Sequence, residues 1–290
     1  MSAASSAHAA STPYAASVEL PRTLVFSPRA NDTSQVLAPA AHRRGLLTEH
    51  MTGWHVPEGF LVGGPAHLYA GPLFADAIAA DLGIALLEPP DDWLVRLPRE
   101  AVRREIRMLT MAEAWTLRAP AFLKPPNDKS FPARVYLRGE QLPGPDAVDS
   151  DTPVLASDPV RFTSEFRLYV LDGEVVTGAQ YAIDGDLDIE PLAGHEAESR
   201  ILGFAQEVLR ESADTLPSAV VVDVGLIDEA DEGKGNLAPA VIEANAAWAS
   251  GHYAADPERV LDVVLRAAGP SAETTDHDRA FLRPVARRLD

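Results

Sequence analysis

Cysteine is missing from the 290 residues of this chain, and basic residues are few. Without cysteine the chain can form no disulfide, no thiolate metal site and no cysteine nucleophile. The 25 Lys and Arg residues are outnumbered by 43 Asp and Glu residues, which gives a formal net charge of −18. Proteins that bind nucleic acid need clustered Lys and Arg to neutralise phosphates, so we expect no nucleic-acid partner. Any nucleotide would have to be held by a few basic residues concentrated in one place.

Long apolar runs are also missing. No stretch approaches the roughly 18 apolar residues of a membrane-spanning helix. The N-terminus has neither the basic region nor the unbroken apolar region of a secretion signal. We therefore expect no membrane partner and a cytoplasmic protein. Residues 1–20 are small and polar, which predicts a disordered leader.

The sequence has none of the short signatures that identify common active sites. It lacks G-x-x-x-x-G-K-[ST] and G-x-G-x-x-G, which mark phosphate and dinucleotide sites. It also lacks H-E-x-x-H and G-x-S-x-G, which mark zinc proteases and esterases. With 46% hydrophobic and 23% charged residues, the composition is that of an ordinary globular protein. The function must be sought in the order of charged residues on predicted strands.

Two predicted strands between residues 220 and 250 contain the most informative polar side chains. In SAVVVDVGLI the even-numbered positions are apolar and Asp223 falls on the other face, because strand residues alternate between faces. In PAVIEANAAW the same alternation places Glu243 and Asn245 on the face opposite Ile242. Two carboxylates and a carboxamide oxygen on rigid strands are hard ligands suited to Mg²⁺ that also contacts phosphates. These residues alone leave open the alternative of a half-exposed antiparallel sheet with polar residues outward.

Candidate phosphate-binding cations lie upstream of these strands. The segment Leu97–Leu117 predicts a helix with four arginines, among them Arg103 and Arg104. Lys124 ends a predicted apolar strand, where a lysine can reach a phosphate as a point charge, and Lys129 follows a proline-rich turn. The alternatives are a solvated helix face paired with glutamates and an exposed lysine at a strand end.

The clearest local prediction is a hairpin in SEFRLYVLDGEVVTGAQY. Asp172-Gly173 is a preferred two-residue turn, so the pairing outward from it is defined. Arg167 should then face Gly178, and Glu165 should face Gln180. This places Glu165, Arg167 and Gln180 on one polar face, with Gly178 leaving room beside the arginine. The alternative is a cross-strand salt-bridge face that binds nothing.

The remaining segments predict an alternation of strands and helices. From about residue 21 to 95 this alternation indicates a small parallel α/β lobe. Helices are predicted over Ala193–Ala213 and Pro257–Ala268, the second with Asp256 as its N-cap. Residues 184–194 are predicted to form a loop.

The ordered series of a basic segment, Lys124, Arg167, Asp223 and Glu243-x-Asn245 resembles the ATP-grasp superfamily. In that family two α+β subdomains clamp ATP, a strand lysine holds the phosphates, and a strand Asp with a Glu-x-Asn supplies the Mg²⁺ ligands. The stretch LLEPPDDWLVRLPREAVRREIRMLTMAEA, followed by FLKPPNDKSF, further resembles the branch in which an arginine and two lysines form the basic set.

The resemblance covers about residues 71–253 and implies an α+β protein of the ATP-grasp fold. Two α+β subdomains would clamp ATP behind a small α/β pre-ATP-grasp lobe. The implied units are the leader (1–20), the lobe (21–95), the ATP-grasp domain (96–270) and a C-terminal tail (271–290). Two features differ from the family: the phosphate loop is reduced to PPNDKSF, and Tyr181 ends the second hairpin strand where many relatives have an arginine.

The resemblance also implies a role for each candidate residue. Mg²⁺ would be bound by Asp223, Glu243 and Asn245. ATP would be bound by Arg104, Lys124, Lys129 and Glu165, with Arg103 in place of Arg104 if the predicted register is off by one. The backbone of the hinge strand, formed by Val154, Leu155, Ala156 and Ser157, would contact adenine. Arg167 would contact the acylphosphate or the substrate carboxylate, Lys129 would contact the phosphates, and both would be catalytic residues.

The implied activity is that of a ligase that uses ATP and Mg²⁺. ATP would phosphorylate a carboxylate to an acylphosphate, and an amine would then displace phosphate to form an amide. The substrates would be a small-molecule carboxylate and amine, with amino acids or a peptide among the candidates, and the sequence leaves a homodimer open. Two alternatives remain: an ATP-dependent phosphotransferase on the same fold, and a non-catalytic nucleotide-binding module.

Overall fold

The computed structural model describes residues 20–60, 64–127, 130–228 and 237–284. Two sequence predictions concern other residues and lie outside this part of the chain: the role of Lys129 and, apart from Leu20, the disordered leader. Within the described ranges, no helix is long and apolar enough to cross a membrane.

A small parallel sheet organises the first part of the chain. Its elements are β1 (Thr23–Phe26), α1 (Asp32–Arg43), β2 (Leu47–His50), β3 (Ala66–Tyr69), α2 (Pro72–Ile78) and β4 (Ile84–Leu86). β1 lies between β2 and β3 and pairs parallel with each, which confirms the predicted parallel arrangement. Asn31 accepts a hydrogen bond from Ser34 N at 2.8 Å and so caps the start of α1. β4 instead pairs antiparallel with a strand near the end of the chain.

The middle of the chain forms a second sheet. Its elements are α3 (Trp93–Arg96), α4 (Arg99–Val102), β5 (Ile106–Thr110), α5 (Met111–Ala114), β6 (Ala121–Lys124), β7 (Arg134–Tyr136) and β8 (Pro153–Ser157). The four strands lie in the order β5-β8-β6-β7, and each neighbouring pair is antiparallel. Lys124 is the last residue of β6, as predicted.

The helix predicted over Leu97–Leu117 is wrong. Only Arg99–Val102 and Met111–Ala114 are α-helical in that segment, and Ile106–Thr110 between them pairs with β8 along its full length. Arg103 ends α4 in the left-handed region, with φ of 50°. Cross-strand pairing therefore outweighs the helix propensity of a segment rich in arginine, glutamate and leucine.

The rest of the chain is built on a sheet of five strands. Its elements are β9 (Phe162–Leu171), β10 (Glu174–Ile183), β11 (Asp186–Pro191), α6 (Glu198–Glu211), β12 (Ala219–Asp228), β13 (Leu237–Asn245), α7 (Pro257–Ala267) and β14 (Ala268–Pro270). The strand order is β11-β10-β9-β12-β13, antiparallel throughout, and β14 is the partner of β4. Short 3-10 helices lie at Gly139–Gln141, Ala213–Thr215, Ala247–Ala249, Ser271–Glu273 and Asp278–Phe281.

The helix and loop predictions for this part are confirmed only in part. α7 begins behind Asp256, whose side chain accepts from Glu258 N at 2.9 Å, as predicted. The segment 184–194, predicted as a loop, contains β11, because Asp184-Gly185 forms a second hairpin turn with positive φ at both residues. The helix predicted from Ala193 begins only at Glu198.

The hairpin of β9 and β10 turns at Asp172-Gly173 as predicted, but its register shifts twice. The shifts lie between Val175 and Thr177 and between Gln180 and Ala182. Each extra residue of a β-bulge moves the residues beyond it to the opposite face. The predicted pairing beyond the first bulge is therefore wrong.

The bulges change which residues of β10 lie beside Arg167. Arg167 faces Ala179 rather than Gly178, and Glu165 faces Ala182 rather than Gln180. Gly178 and Gln180 instead pair with the apolar residues Leu168 and Phe166 on the opposite face. The polar face predicted for Glu165, Arg167 and Gln180 thus loses Gln180.

Helices cover both faces of the five-stranded sheet. α6 packs on the face of the even-numbered residues of β9 and β12, in a core that includes Ile201, Ala205, Val208, Phe166, Leu168, Val220 and Val222. α7 packs on the other face, in a core with Tyr169 and Val221 near the hairpin end. Farther along the strands, this second face presents Arg167 and Asp223 instead of apolar residues. That part of the sheet forms the site.

Candidate active site

A cleft of about 1500 Å³ lies between the four-stranded and the five-stranded sheet. The first wall comes from β6 and β8 and includes Phe122, Lys124 and Ser157. The second wall comes from β9, β10 and β13 and includes Arg167 and Glu243. Residues far apart in the sequence therefore meet across one opening, which is large enough for a nucleotide and a second ligand.

The predicted metal ligands come together at one point of the second wall. Asp223 and Glu243 are directly opposite each other on β12 and β13. Asn245 Nδ2 lies 3.2 Å from Asp223 Oδ2 and 2.9 Å from Glu243 Oε1. Two carboxylates and one carboxamide within hydrogen-bonding distance provide the hard oxygen donors that Mg²⁺ prefers, so the donor set fits this ion.

A β-bulge in β13 changes the face predicted for Ile242. The register shifts between Asp223 and Val224, so that Glu243 faces Asp223 while Val241 faces Val224. Ile242 lies at the bulge and lines the cleft, and Val241 packs in the core under α6. The faces predicted for Val241 and Ile242 by strict alternation are therefore wrong, because the extra residue at the bulge turns its side chain toward the other face.

Arg104 packs against this bulge. It donates to the carbonyl oxygens of Val241 at 2.7 Å, Ile242 at 3.1 Å and Val102 at 2.8 Å. Its guanidinium lies 5.5 Å from the centre of the Phe162 ring and lines the cleft. Burial lowers the pKa of Arg104 to about 10, although the nearby Glu243 carboxylate opposes the shift.

Arg103, the substitute considered for Arg104, points elsewhere. It is exposed, and its Nε donates to Pro239 O at 2.9 Å. Of the two arginines, the cleft lining includes only Arg104. The geometry therefore favours Arg104 for any contact with a bound anion.

Lys124 and Glu243 form an ion pair across the cleft, joining β6 to β13. Their side chains are only 15% and 27% exposed, so the pair is poorly screened by solvent. Burial opposes ionisation of Glu243, but the Lys124 ammonium and the Asn245 amide together hold the pKa of Glu243 below its ordinary value. The strand-end lysine thus contacts the carboxylate cluster directly.

Arg167 and Asp223 form a two-pronged ion pair in the sheet. Arg167 donates from Nε to Asp223 Oδ1 at 2.9 Å and from Nη2 to Oδ2 at 2.7 Å. The Asp223 side chain is 1% exposed and that of Arg167 is 13% exposed. Burial alone would lower the pKa of Arg167, but the Asp223 carboxylate raises it above its ordinary value. The arginine therefore stays charged at the base of the cleft.

Two stacked tyrosines lie beside this arginine. The rings of Tyr181 and Tyr253 are stacked, with centroids 5.0 Å apart and planes 15° apart. The Arg167 guanidinium lies 5.7 Å from the first ring and 5.3 Å from the second. The Tyr181 hydroxyl donates to Glu165 Oε2 at 2.7 Å. Burial raises the pKa of Glu165, as do the charges of Asp223 and Glu243, against the hydrogen bond from Tyr181.

The strand predicted to contact adenine is divided between cleft and core. Leu155 and Ser157 line the cleft, whereas Val154 and Ala156 are buried in the core of the four-stranded sheet. This alternation follows from the pleat of β8. Two of the four predicted residues of this strand therefore line the cleft, and the contact of its backbone with adenine stays a prediction.

Comparison with protein families decides which family this cleft belongs to. The model of an ATP-grasp domain, from family 2 of the clade with one arginine and two lysines, matches residues 102–263, more than half of the chain. The chain belongs to the ATP-grasp family. The matched residues extend from the end of α4 into α7 and so include both sheets and the cleft between them. The predicted ATP-grasp fold and α+β class are confirmed, and membership supports ATP-dependent ligase activity in general.

Solved structures of other ATP-grasp proteins are similar in overall outline. The D-alanine–D-alanine ligase of Bacillus anthracis is 13% identical, with a TM-score of 0.45, over 85% of this chain and 97% of that chain. The ATP-grasp ligase PsnB, complexed with a minimal precursor, is 15% identical, with a TM-score of 0.48, over 86% of this chain and 99% of that chain. The RimK domain ATP-grasp protein of Sphaerobacter thermophilus is 16% identical, with a TM-score of 0.44, over 84% of this chain and 99% of that chain. None of the curated proteins matches significantly.

The sequence identified the polar residues of this ATP-grasp cleft better than its aromatic ones. The cleft contains Lys124, Glu165, Arg167, Glu243 and Asn245, with Asp223 directly beneath Arg167. In the sequence Tyr181 is notable only as a departure from the family pattern, and no pattern marks Phe162 or Tyr253. Tyr181 reaches the cleft through a bulge, for which the sequence contains no local signal, and Tyr253 through a turn that lacks the usual glycine.

Proposed function

We propose that this ATP-grasp protein is a ligase that uses ATP and Mg²⁺ to join a carboxylate to an amine through an acylphosphate. The observation that supports it most is the cleft itself, where cations and hard oxygen ligands from two sheets converge. Phosphoryl transfer requires little of a protein beyond placement and charge stabilisation. The clustered side chains suit both requirements.

The carboxylate cluster and Lys124 are assigned to the nucleotide end of the reaction. Asp223, Glu243 and Asn245 are the residues that would hold Mg²⁺, which would neutralise charge on the transferred phosphoryl group. Lys124 neutralises Glu243 in the ion pair. A phosphate that takes Lys124 as its partner leaves the Glu243 carboxylate for the metal.

Arg167 is assigned to the acid substrate. Asp223 occupies its Nε and one N–H of Nη2, and Gly251 O lies 3.4 Å from Nη1. The guanidinium has further N–H groups on both terminal nitrogens, enough for a carboxylate and then for the acylphosphate formed from it. The substrate carboxylate oxygen attacks the γ-phosphorus and ADP leaves. The amine then attacks the acyl carbon and phosphate leaves.

The other nucleotide contacts are proposed from the family pattern. Arg104 lies beside Glu243 and lines the cleft, Glu165 follows on the same wall, and the hinge strand Val154–Ser157 borders the opening. Lys129, the second lysine of the basic set, lies outside the described residues, and its role stays a prediction.

Nucleotide binding is the first test. Thermal unfolding should shift upward when ATP and Mg²⁺ are added together, because a ligand that binds only the folded state stabilises it by mass action. Glu243→Gln should lose most of this shift. Asp188→Asn should keep it, since Asp188 is an exposed carboxylate on β11 away from the cleft lining. No shift of the wild-type protein at millimolar nucleotide would rule the proposal out.

Product analysis is the second test and separates a ligase from a phosphotransferase. The protein would be incubated with ATP, Mg²⁺, a panel of amino acids and small acids, and hydroxylamine as the nucleophile. A ligase should release ADP and phosphate and form the hydroxamate of its acid, because hydroxylamine intercepts an acylphosphate. A phosphorylated product that resists hydroxylamine, with no amide from any amine, would assign the protein to the phosphotransferases.

A further inference from the structure

Tyr253 has a backbone conformation that tyrosine rarely adopts. Its φ is 51°, in the left-handed region where a bulky side chain clashes with the backbone. It lies in a turn closed by a hydrogen bond from Ala255 N to His252 O at 3.0 Å. Turn positions with positive φ usually contain glycine, asparagine or aspartate. A tyrosine here indicates that the side chain serves a purpose that glycine cannot.

The other positive φ values among the described non-glycine residues have local explanations. Arg103 ends helix α4, where a left-handed residue is common. Asp172 and Asp184 each precede a glycine in a hairpin turn, and aspartate tolerates this conformation. Tyr253 is neither a helix cap nor an Asp-Gly turn residue.

The ring of Tyr253 contacts the functional site. It stacks on Tyr181 with centroids 5.0 Å apart, and its centroid lies 5.3 Å from the Arg167 guanidinium. Tyr181 is itself anchored, since its hydroxyl donates to Glu165. The guanidinium is therefore hydrogen-bonded to the Asp223 carboxylate and lies beside the stacked pair of rings.

The loop around Tyr253 is attached to the rest of the protein on both sides. Tyr69 and Tyr169 both donate from their hydroxyls to Ser250 O at 3.1 Å. His252 N donates to Thr33 Oγ1 at 3.0 Å. Beyond the turn, Asp256 N donates to Thr177 Oγ1 at 3.0 Å. These contacts over-determine the loop, which is the condition under which a strained conformation persists at a functional site.

We propose that Tyr253 is a positioning residue whose ring, presented by a strained turn, keeps the Arg167 guanidinium oriented toward the acid substrate. This inference rests on the proposed function for what the arginine binds. The strain in the backbone at Tyr253 does not depend on what the arginine binds. The two parts can be tested separately.

The strain is tested by comparing Tyr253→Gly with Tyr253→Ala. Both variants lose the ring, and only glycine adopts positive φ without a steric cost. We expect a higher melting temperature for Tyr253→Gly than for Tyr253→Ala, although glycine ordinarily destabilises relative to alanine. Equal melting temperatures, or a lower one for glycine, would overturn the inference. This measurement requires no turnover.

The role of the ring is tested by the rate of hydroxamate formation with the cognate acid. Tyr253→Phe keeps the ring and should retain most of the wild-type rate. Tyr253→Leu and Tyr253→Gly should lower kcat on the order of a hundredfold, because a small misplacement of a positioning group is costly in rate. The Kd for ATP with Mg²⁺ should stay at its wild-type value in all three, since Arg167 is assigned to the acid.

Two outcomes would contradict this role. If Tyr253→Leu is as active as Tyr253→Phe, bulk suffices and the aromatic face is not needed. If nucleotide affinity falls in parallel with kcat, the residue supports the fold in general.

Asp172→Gly is the matched control. Asp172 has φ of 49° in the hairpin turn, at the end of the sheet that α7 covers. Removing its side chain should leave kcat unchanged, which shows that relieving a positive φ does not by itself lower the rate. If wild-type protein forms no hydroxamate from any acid, the proposed function fails, while the Gly and Ala comparison still decides whether Tyr253 is strained.

Discussion

The two faces of the five-stranded sheet follow different rules. On the α6 face, Phe166, Leu168 and Val170 of β9 alternate as a strand should and are buried. On the cleft face, Tyr181 and Ile242 reach the site from bulges in their strands. The core face of β9 thus obeys the period of two, whereas bulges in β10 and β13 add Tyr181 and Ile242 to the cleft. Substitutions on the α6 face should accordingly lower stability without lowering activity, whereas substitutions on the cleft face should lower activity.

Asp223→Asn should have the largest effect on stability and activity, because it removes the most buried charge of the cleft face. Arg167 would be left buried without its partner, which we expect to cost about 3–5 kcal/mol of unfolding free energy. Turnover should be lost as well. Urea unfolding and ADP release measure the two effects.

A double variant separates these two consequences. Asp223→Leu combined with Arg167→Met replaces the ion pair by apolar groups and should recover stability without recovering turnover. An unfolding free energy of the single variant within about 1 kcal/mol of wild type would mean that Arg167 finds another partner.

Leu168→Ala is the corresponding change on the α6 face. Leu168 is fully buried, so its truncation should cost about 2–5 kcal/mol of unfolding free energy. Turnover per folded molecule should match that of wild type, because the side chain points away from the cleft. A fall in kcat measured well below the melting temperature would show that the two faces are not independent.

Alanine substitutions at two glycines, one on each face, should have smaller effects. A Cβ at Gly178 would lie 2.8 Å from Leu168 Cδ2 and 2.9 Å from Arg167 O, on the α6 face. Gly178→Ala should therefore lower stability by about 1–3 kcal/mol and leave nucleotide affinity unchanged. This differs from the sequence-based expectation that Gly178 leaves room for the guanidinium.

The second glycine belongs to the cleft face. A Cβ at Gly225 would overlap the ring of Phe162, which lies beside Arg104. Gly225→Ala should therefore weaken the binding of ATP with Mg²⁺ in titration calorimetry. Equal affinities for Gly178→Ala and Gly225→Ala would remove the distinction between the faces.

Glu165→Gln should have the smallest effect on stability, and that effect should depend on pH. The pKa of Glu165 is raised by burial and by neighbouring carboxylates, so the folded state holds this proton more tightly than the unfolded chain does. This proton binding stabilises the folded state fully when the pH is below about 4.3, the pKa of glutamate in the unfolded chain. The stabilisation is lost as the pH rises through the pKa of Glu165 in the folded state. Glu165→Gln should then be the more stable protein at pH 7, by less than about 1 kcal/mol because the side chain is partly exposed. Melting curves between pH 3 and pH 8 that stay parallel for the two proteins would contradict this sign.

Much of the site could be predicted because its polar residues lie on strands whose apolar faces are regular. Asp223, Glu243 and Asn245 were found by alternation, and Lys124 by its place at a strand end. The residues at bulges were not found, since a bulge depends on how two strands pair and leaves no mark in either strand alone. β5 was missed for a related reason: its strand conformation comes from pairing with β8, against its own helix propensity.

Local chemistry in the sequence determined the Asp172-Gly173 turn, the Asp256 cap of α7 and the apolar face under α6, because each depends on residues within a few positions of one another. The tertiary structure alone decided which charges pair. Arg167 with Asp223 and Lys124 with Glu243 join residues 56 and 119 positions apart, and such contacts depend on strand order and register. It also decided that Tyr253 reaches the arginine, because only the surrounding contacts hold a tyrosine in a turn that its own backbone preference disfavours.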